Sequence, residues 1–120
     1  MMQQDAILEK TLKKAVESIK DKKGEDIISL KFSPEQSTIC DYFLICTANN
    51  TKQAQAISDS LQRDLRTELK VRPSHIEGYE TANWILLDYL DIIIHIFLPE
   101  TRDFYGLEKL WADAEIKKYA

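Results

Sequence analysis

The chain has 120 residues, of which 44% are hydrophobic and 30% charged, and its formal net charge is −4. This length fits one domain that buries a core without disulfide or metal support, and the composition is that of a globular protein. No apolar run approaches the roughly 20 residues of a membrane-spanning helix, no signal peptide is visible, and the negative charge argues against nucleic acid as the main partner. We expect a single cytoplasmic domain over residues 1–120, with an ordered core from about 5 to 118.

The first part of the chain predicts a helix followed by two strands. Residues 5–23 repeat apolar side chains at helical spacing with one buried stripe. Residues 26–32 alternate apolar and polar side chains, which predicts an outer strand. Residues 42–46 are continuously apolar and predict an interior strand. Cys40 and Cys46 are interpreted as small buried hydrophobic residues.

A second helix and a short strand come next. The segment Asn49-Asn50-Thr51 supplies an N-cap, and the helix runs from about Lys52 to Leu69, with Pro73 barring its continuation. Residues 74–78 allow a short edge strand and a turn.

The segment from Trp84 to Leu98 is the most apolar of the chain and predicts a hairpin. Its β-branched run Ile92-Ile93-Ile94 favours a strand over a helix. Trp84 to Tyr89 would form the first strand, Leu90-Asp91 the turn, and Ile92 to Leu98 the second strand. Because the second strand is almost continuously apolar, both of its faces should be covered and it should lie at the centre of the sheet.

The final segment, from about Phe104 to Lys118, predicts a third helix with one apolar face. The residues of that face are Leu107, Leu110, Trp111 and Ala114. The predicted element order is therefore αββαβββα. The fold class is α/β of the mixed α+β type, with a mixed five-stranded sheet covered by helices.

The negative charge is concentrated in one segment. Residues 77–108 carry seven acidic residues and one base, Arg102, so the segment is net −6 and the remainder is net +2. Most such clusters are solvated surface. Here the acids surround the predicted hairpin and its exit, which suits a basic partner.

Four side chains offer material for a metal or acid–base site, namely Asp41, Asp88, Asp91 and His95. By strand parity, however, His95 should be a core or partly buried histidine that donates to a carbonyl or carboxylate. Asp88 and Asp91 flank the predicted turn, where aspartates commonly accept backbone N–H bonds. We therefore predict a protein that is not an enzyme and needs no cofactor or metal. The alternative is a metal-dependent nucleotidyltransferase or hydrolase built on Asp88, Asp91 and His95.

Short motifs follow one another along almost the whole chain. They are DYFLI at 41–45, KQ and AI within 52–57, EG at 77–78, WILLDY at 84–89, HIF at 95–97 and RDFYGLEKLW at 102–111. In this succession they resemble the ribosomal silencing factor family, also called RsfS, YbeB or Iojap-like.

The resemblance implies a nucleotidyltransferase-like fold with no known transferase activity. It also implies binding to the large ribosomal subunit through ribosomal protein uL-fourteen, which blocks joining of the two subunits and lowers translation when nutrients are scarce. No direct readout of nucleic acid and no membrane contact are expected, and self-association into a homodimer is left open. The expected contact residues are Trp84, Asp88, Tyr89, Leu90, Arg102 and Tyr105. Aromatic anchors would supply the binding energy and charges the orientation, whereas Phe97 and Trp111 are interpreted as core residues.

One position departs from the family pattern. The family has glycine in the turn motif DYGD, where this chain has Leu90. Leucine disfavours the positive φ that a two-residue type I′ turn requires at both central positions. Either the turn differs in geometry or Leu90 is retained for a contact.

Overall fold

Six strands form one mixed sheet in the order β3-β4-β5-β2-β1-β6, in a computed structural model that describes residues 2–35 and 40–119, with the backbone alone for residues 2–5. The elements are α1 (Met2–Asp21), β1 (Glu25–Lys31), β2 (Tyr42–Thr47), α2 (Thr51–Leu69), β3 (His75–Glu77), β4 (Trp84–Asp88), β5 (Ile92–Phe97), α3 (Pro99–Tyr105), α4 (Leu107–Leu110) and β6 (Glu115–Tyr119). The strands β2 and β5 are parallel, and the other neighbouring pairs are antiparallel. The predicted mixed α/β class is confirmed.

The helices α1 and α2 pack side by side on one face of the sheet and cover the larger core. Asn50 caps α2, because its Oδ1 accepts a hydrogen bond from the Gln53 N–H at 2.8 Å. The Gln53 side chain in turn donates to the carbonyls of Lys22 and Lys23, at 3.0 Å each, and so joins the end of α1 to the start of α2. None of the helices in the described part of the chain has an apolar stretch that would cross a bilayer.

The strand β5 is the centre of the sheet, as predicted. All six of its residues are buried, and it lies between β4 and β2. Alternate β5 side chains enter the core beneath α1 and α2, among them Ile94, which is 1% exposed. The others, including His95 and Phe97, enter a smaller core on the opposite face, where Phe97 packs with Leu30 and Ile45.

Both cysteines are buried, which confirms their interpretation as small hydrophobic residues. Cys46 lies in the core beneath the two long helices and Cys40 in the smaller core. Burial raises the pKa of the Cys46 thiol to about 12, so this group stays protonated and unreactive in the folded protein.

The predicted helix from Phe104 to Lys118 is wrong. Pro99 occupies the first turn of a short helix, α3, where a missing N–H is tolerated. Gly106 then adopts a left-handed conformation, φ 53°, and its N–H bonds to the Arg102 carbonyl, which ends α3. After the four-residue α4 the chain becomes extended in β6, so the sheet has six strands rather than five. Trp111 does pack in the smaller core, as predicted, with its ring 5.0 Å from that of Phe32.

The prediction of β1 as an outer strand is also wrong, because β6 pairs along its outer side. The polar residue that suggested exposure, Ser29, is only 3% exposed. Its hydroxyl is satisfied by the hydroxyl of Tyr119 on β6, at 3.0 Å. In β1, the polar residue Ser29 therefore marks a buried hydrogen bond with Tyr119 rather than a face exposed to solvent.

Candidate partner-binding surface

The sheet face opposite α1 and α2 is only partly covered over β4. Trp84, Leu86 and Asp88 lie on this face and are half-buried, whereas the intervening Ile85 and Leu87 are fully buried beneath the two long helices. Trp84 and Asp88 stand roughly 13 Å apart along the strand. Leu90 lies beyond one end of this row and Tyr105 and Phe104 beyond the other. We call these six residues the open strip: Trp84, Leu86, Asp88, Leu90, Phe104 and Tyr105.

One end of the open strip is aromatic. The Trp84 ring lies 4.7 Å from that of Tyr105, and the Tyr105 ring meets that of Phe104 edge-on at 5.0 Å, measured between centroids. Phe104 is 81% exposed and Tyr105 is 51% exposed. A cavity of about 420 Å³ lies between these rings and the side chain of Glu100. Exposed rings beside a carboxylate form a surface suited to apolar and cationic groups.

The other end of the open strip is the tip of the β4–β5 hairpin. The Asp91 N–H donates to the Tyr89 carbonyl at 2.9 Å across Leu90, whose φ is 71°. These are features of a γ-turn of the rare strained type. The Leu90 N–H donates to Asp88 Oδ1 at 2.8 Å, which confirms the expected role of an aspartate in the turn. The turn thus holds a strained leucine with 65% of its surface in solvent.

Two of the predicted contact residues lie inside the protein. Tyr89 is 7% exposed and packs in the larger core, and burial raises the pKa of its phenol to about 12. Arg102 is 9% exposed. Its Nη1 donates to the Asp26 carbonyl and to Thr47 Oγ1, at 2.7 Å each, and its Nε lies 3.4 Å from the Glu108 carboxylate. Arg102 therefore ties α3 to β1 and β2.

The side chains proposed for an acid–base site do not form one. His95 is 3% exposed, and its Nδ1 accepts a hydrogen bond from Trp84 Nε1 at 3.0 Å. The expectation that His95 donates to a carbonyl or carboxylate is wrong, since Nδ1 accepts a hydrogen bond and Nε2 has no partner among the described residues. Burial lowers the pKa of the imidazole to about 3, so it is neutral at physiological pH. Among residues 2–35 and 40–119, no three His, Cys, Asp or Glu side chains are grouped as metal ligands.

Sequence reasoning missed two members of the open strip, Leu86 and Phe104. The strand prediction does not say which sheet face Leu86 occupies, and Phe104 is the first residue of the predicted third helix. The available signal was Gly106, because a glycine two residues after Phe104 predicts a helix end rather than a helix start.

The open strip has the composition of a protein-binding surface. The sheet presents the half-buried side chains of Trp84, Leu86 and Asp88 between exposed aromatic rings and a strained apolar tip. Glu77 is exposed opposite Leu86 on the neighbouring strand. Such a combination of rigid aromatic and apolar groups with a charged rim is typical of protein–protein interfaces.

Comparisons with known proteins identify the family. The family described as "Ribosomal silencing factor during starvation" matches residues 4–119, and the chain belongs to it. The ribosomal silencing factor RsfS of Halalkalibacterium halodurans is 42% identical over 103 residues, covering 86% of both chains. The mouse protein named "Mitochondrial assembly of ribosomal large subunit protein 1" is 33% identical over 99 residues, which is 80% of this chain and 42% of that protein.

A crystal structure of a Chromobacterium violaceum protein shares the fold. The TM-score is 0.81 at 34% sequence identity, covering 87% of this chain and 85% of that one. The predicted resemblance is therefore confirmed. This is a regulatory protein of the ribosomal silencing family and not an enzyme.

Proposed function

We propose that the protein binds the large ribosomal subunit through ribosomal protein uL-fourteen and thereby blocks association of the small subunit. Translation then falls when nutrients are limiting. The protein would act in the cytoplasm, where subunits join. Membership of the silencing family supports the ribosomal target, and the name of the mouse relative supports the large subunit as the partner.

The open strip is the observation that carries this proposal. Its direct contacts would be Trp84, Asp88, Leu90 and Tyr105 from the predicted set, joined by Leu86 and Phe104. The exposed rings and Leu90 would supply apolar burial, which contributes most of the energy at interfaces. Glu77, Asp88, Glu100 and Asp103 would meet the basic surface that is usual for ribosomal proteins and would speed the encounter.

Tyr89 and Arg102 would act from inside the protein. Tyr89 precedes Leu90 and anchors the hairpin tip in the core, so it fixes the direction in which the leucine points. Arg102 joins α3 to the sheet, and α3 carries Phe104 and Tyr105. Replacing either residue would therefore displace one end of the open strip.

The inhibition itself requires no chemistry. A bound protein prevents subunit joining if it occupies the space into which the small subunit docks. The sheet suits this role because its centre is fully buried and leaves the exposed face little freedom to deform.

The test is sedimentation through a density gradient with separated subunits. The protein should travel with large subunits and not with small ones, and preincubation with large subunits should reduce the fraction of joined ribosomes. Travel with small subunits, or with neither, would refute the proposal.

Two exposed hydrophobic residues of the same segment make a matched comparison. Tyr105→Ala removes a member of the open strip and should weaken binding to the large subunit about tenfold or more. Leu110→Ala truncates a side chain that is 72% exposed on α4, outside the strip, and should bind like the parent. Equal effects of the two substitutions would place the contact elsewhere.

Two other functions were expected as alternatives. A metal-dependent nucleotidyltransferase or hydrolase is not favoured, because His95 is buried and neutral and bonds to Trp84 rather than to an aspartate. Self-association into a homodimer through an exposed sheet edge or a helix face stays a prediction, which light scattering at several concentrations tests.

A further inference from the structure

Within the described residues, the His95 side chain forms one hydrogen bond, and this bond joins it to Trp84 of the open strip. In the β4–β5 pair, His95 lies opposite Leu86, and Phe97 lies opposite Trp84. The indole of Trp84 and the imidazole of His95 are therefore diagonal neighbours on one sheet face. Trp84 Nε1 donates to His95 Nδ1 at 3.0 Å. The hydrogen bond links the buried centre of the sheet to a half-exposed ring on its surface.

Histidine is an unfavourable choice for this interior position. Three aromatic rings surround it: Phe43 at 4.6 Å, Trp84 at 5.9 Å and Phe97 at 6.0 Å, measured between centroids. Because Nδ1 accepts, the proton of the neutral ring sits on Nε2. That nitrogen is buried and has no hydrogen-bond partner among the described residues. A buried donor without a partner destabilises the folded state, and a phenylalanine would fill the same space without that defect.

What histidine provides, and phenylalanine does not, is an acceptor for the indole N–H. The Trp84 ring contacts Phe97, at 4.9 Å, and Tyr105, at 4.7 Å, and these apolar contacts do not specify which way its N–H points. The hydrogen bond selects one orientation. It also keeps the polar edge of the indole turned toward the core, so that the ring supports Tyr105 on the surface.

We infer that His95 is a positioning residue for partner binding, which fixes the Trp84 indole in the orientation that the large subunit recognises. The inference rests on the proposed function and assigns the buried histidine a role in that binding. Preorganising a contact ring before binding removes part of the entropy cost of the complex. The neutral state of His95 makes this acceptor permanent at physiological pH, because burial holds the pKa of the imidazole near 3.

Two substitutions separate positioning from packing. His95→Phe keeps the ring volume and removes both the acceptor and the unpartnered donor. His95→Asn is smaller and leaves space in the core, but it offers a carbonyl oxygen near the position of Nδ1. If His95 only fills space, His95→Phe should bind the large subunit better than His95→Asn. If it positions Trp84, the order is reversed, with His95→Phe about tenfold weaker than the parent and His95→Asn closer to it.

The orientation of Trp84 can be followed without the ribosome. The chain has two tryptophans, and Trp111→Phe leaves Trp84 as the single indole N–H resonance in a ¹⁵N-labelled sample. In the parent and in His95→Asn this resonance should be sharp and shifted downfield by the hydrogen bond. In His95→Phe it should move upfield and broaden. An unchanged resonance in His95→Phe would overturn the inference.

The binding experiment uses the same variants in gradient sedimentation with large subunits. Binding of His95→Phe at parental affinity, or better than His95→Asn, would also overturn the inference. If the parent itself does not travel with large subunits, the proposed function fails, and with it the role in binding. The resonance of Trp84 still decides, on its own, whether His95 fixes the indole.

Discussion

Leu90 has a strained backbone conformation that lowers stability and an exposed side chain that is available for binding. At positive φ, a residue with a Cβ destabilises the folded state by roughly 1–2 kcal/mol. Glycine avoids this strain and instead loses about 0.5–1 kcal/mol more conformational entropy on folding. Leu90 nevertheless holds a φ of 71° with 65% of its surface in solvent. Strain of this kind at an exposed position is typical of side chains that make a functional contact.

We predict that Leu90→Gly raises the free energy of unfolding by about 0.5–1 kcal/mol while weakening binding to the large subunit. Denaturant unfolding measures the first effect and binding kinetics the second. Leu90→Ala is the control, because it retains the strained Cβ and removes the rest of the side chain. It should leave stability nearly unchanged and weaken binding as much as Leu90→Gly does. Parental affinity in both variants would mean that Leu90 makes no contact.

His95 predicts a pH dependence of stability. The imidazole has a pKa of about 3 in the folded protein and about 6.5 in the unfolded chain, so between these values the unfolded state binds more protons. The contribution of the neutral imidazole to the free energy of unfolding is therefore complete above pH 6.5 and is lost as the pH falls toward 3. The slope approaches about 1.4 kcal/mol per pH unit inside that window.

Unfolding of the parent and of His95→Phe should be measured between pH 7 and pH 4.5. Since His95→Phe lacks the titrating ring, its stability should fall less steeply on acidification. Identical pH profiles would show that the imidazole is not held in the neutral state by burial.

At the scale of elements, β5 organises the chain. Ile94→Ala should lower the free energy of unfolding by roughly 2–5 kcal/mol, because it leaves a cavity at a position that is 1% exposed. Leu110→Ala, at a position 72% exposed, should change it by less than about 0.5 kcal/mol. Urea unfolding of both variants tests the difference, and a loss under about 0.5 kcal/mol in Ile94→Ala would contradict the central position of β5.

The sequence predicted the elements whose conformation is determined by neighbouring residues, and it missed those that depend on distant parts of the chain. The strand β5 and the helix α2 were predicted because an unbroken apolar run and the Asn50 cap are local signals. The strand β6 was missed because four of its five residues are exposed and only Tyr119 packs inward. Its conformation depends on pairing with β1, some 90 residues earlier, and a tertiary constraint of that kind leaves little trace in a short window.

The predicted contact residues show the same limit. Of the contact residues expected from the family resemblance and the acidic, aromatic segment, Trp84, Asp88, Leu90 and Tyr105 are at least partly exposed. Arg102 also looked like a surface charge, but the carbonyl of Asp26 and the hydroxyl of Thr47 come from strands far away in sequence. A local pattern cannot reveal that these acceptors would surround a guanidinium.

At the scale of the whole molecule, the net −6 of residues 77–108 predicts electrostatic steering toward a basic partner. Association should slow with added salt, since charges are screened over about 10 Å at 0.1 M. Asp88→Lys should weaken binding at least tenfold, or about 1.4 kcal/mol. Asp88→Asn should weaken it less, because its amide oxygen still accepts from the Leu90 N–H while the charge is lost.

The control for this prediction is Lys13→Glu, an exposed site on α1, which packs on the opposite face of the sheet. A local contact leaves this variant unchanged, whereas a general effect of net charge makes it bind differently, with the sign opposite to Asp88→Lys. Binding kinetics against isolated ribosomal protein uL-fourteen, at low and moderate salt, distinguish the two. If Asp88→Lys associates like the parent at both salts, the acidic segment plays no part in recognition.

The pairing of β1 with β6 has a consequence for synthesis. The strand β1 is the first of the six to be made and β6 is the last, so during translation at 5–20 residues per second the outer edge of β1 lacks its partner for roughly 4 to 18 s. An unpaired strand edge is a template for aggregation. A nascent chain of this protein therefore exposes the outer edge of β1 while it is still attached to a translating ribosome, and its sheet is complete only when the last strand has emerged.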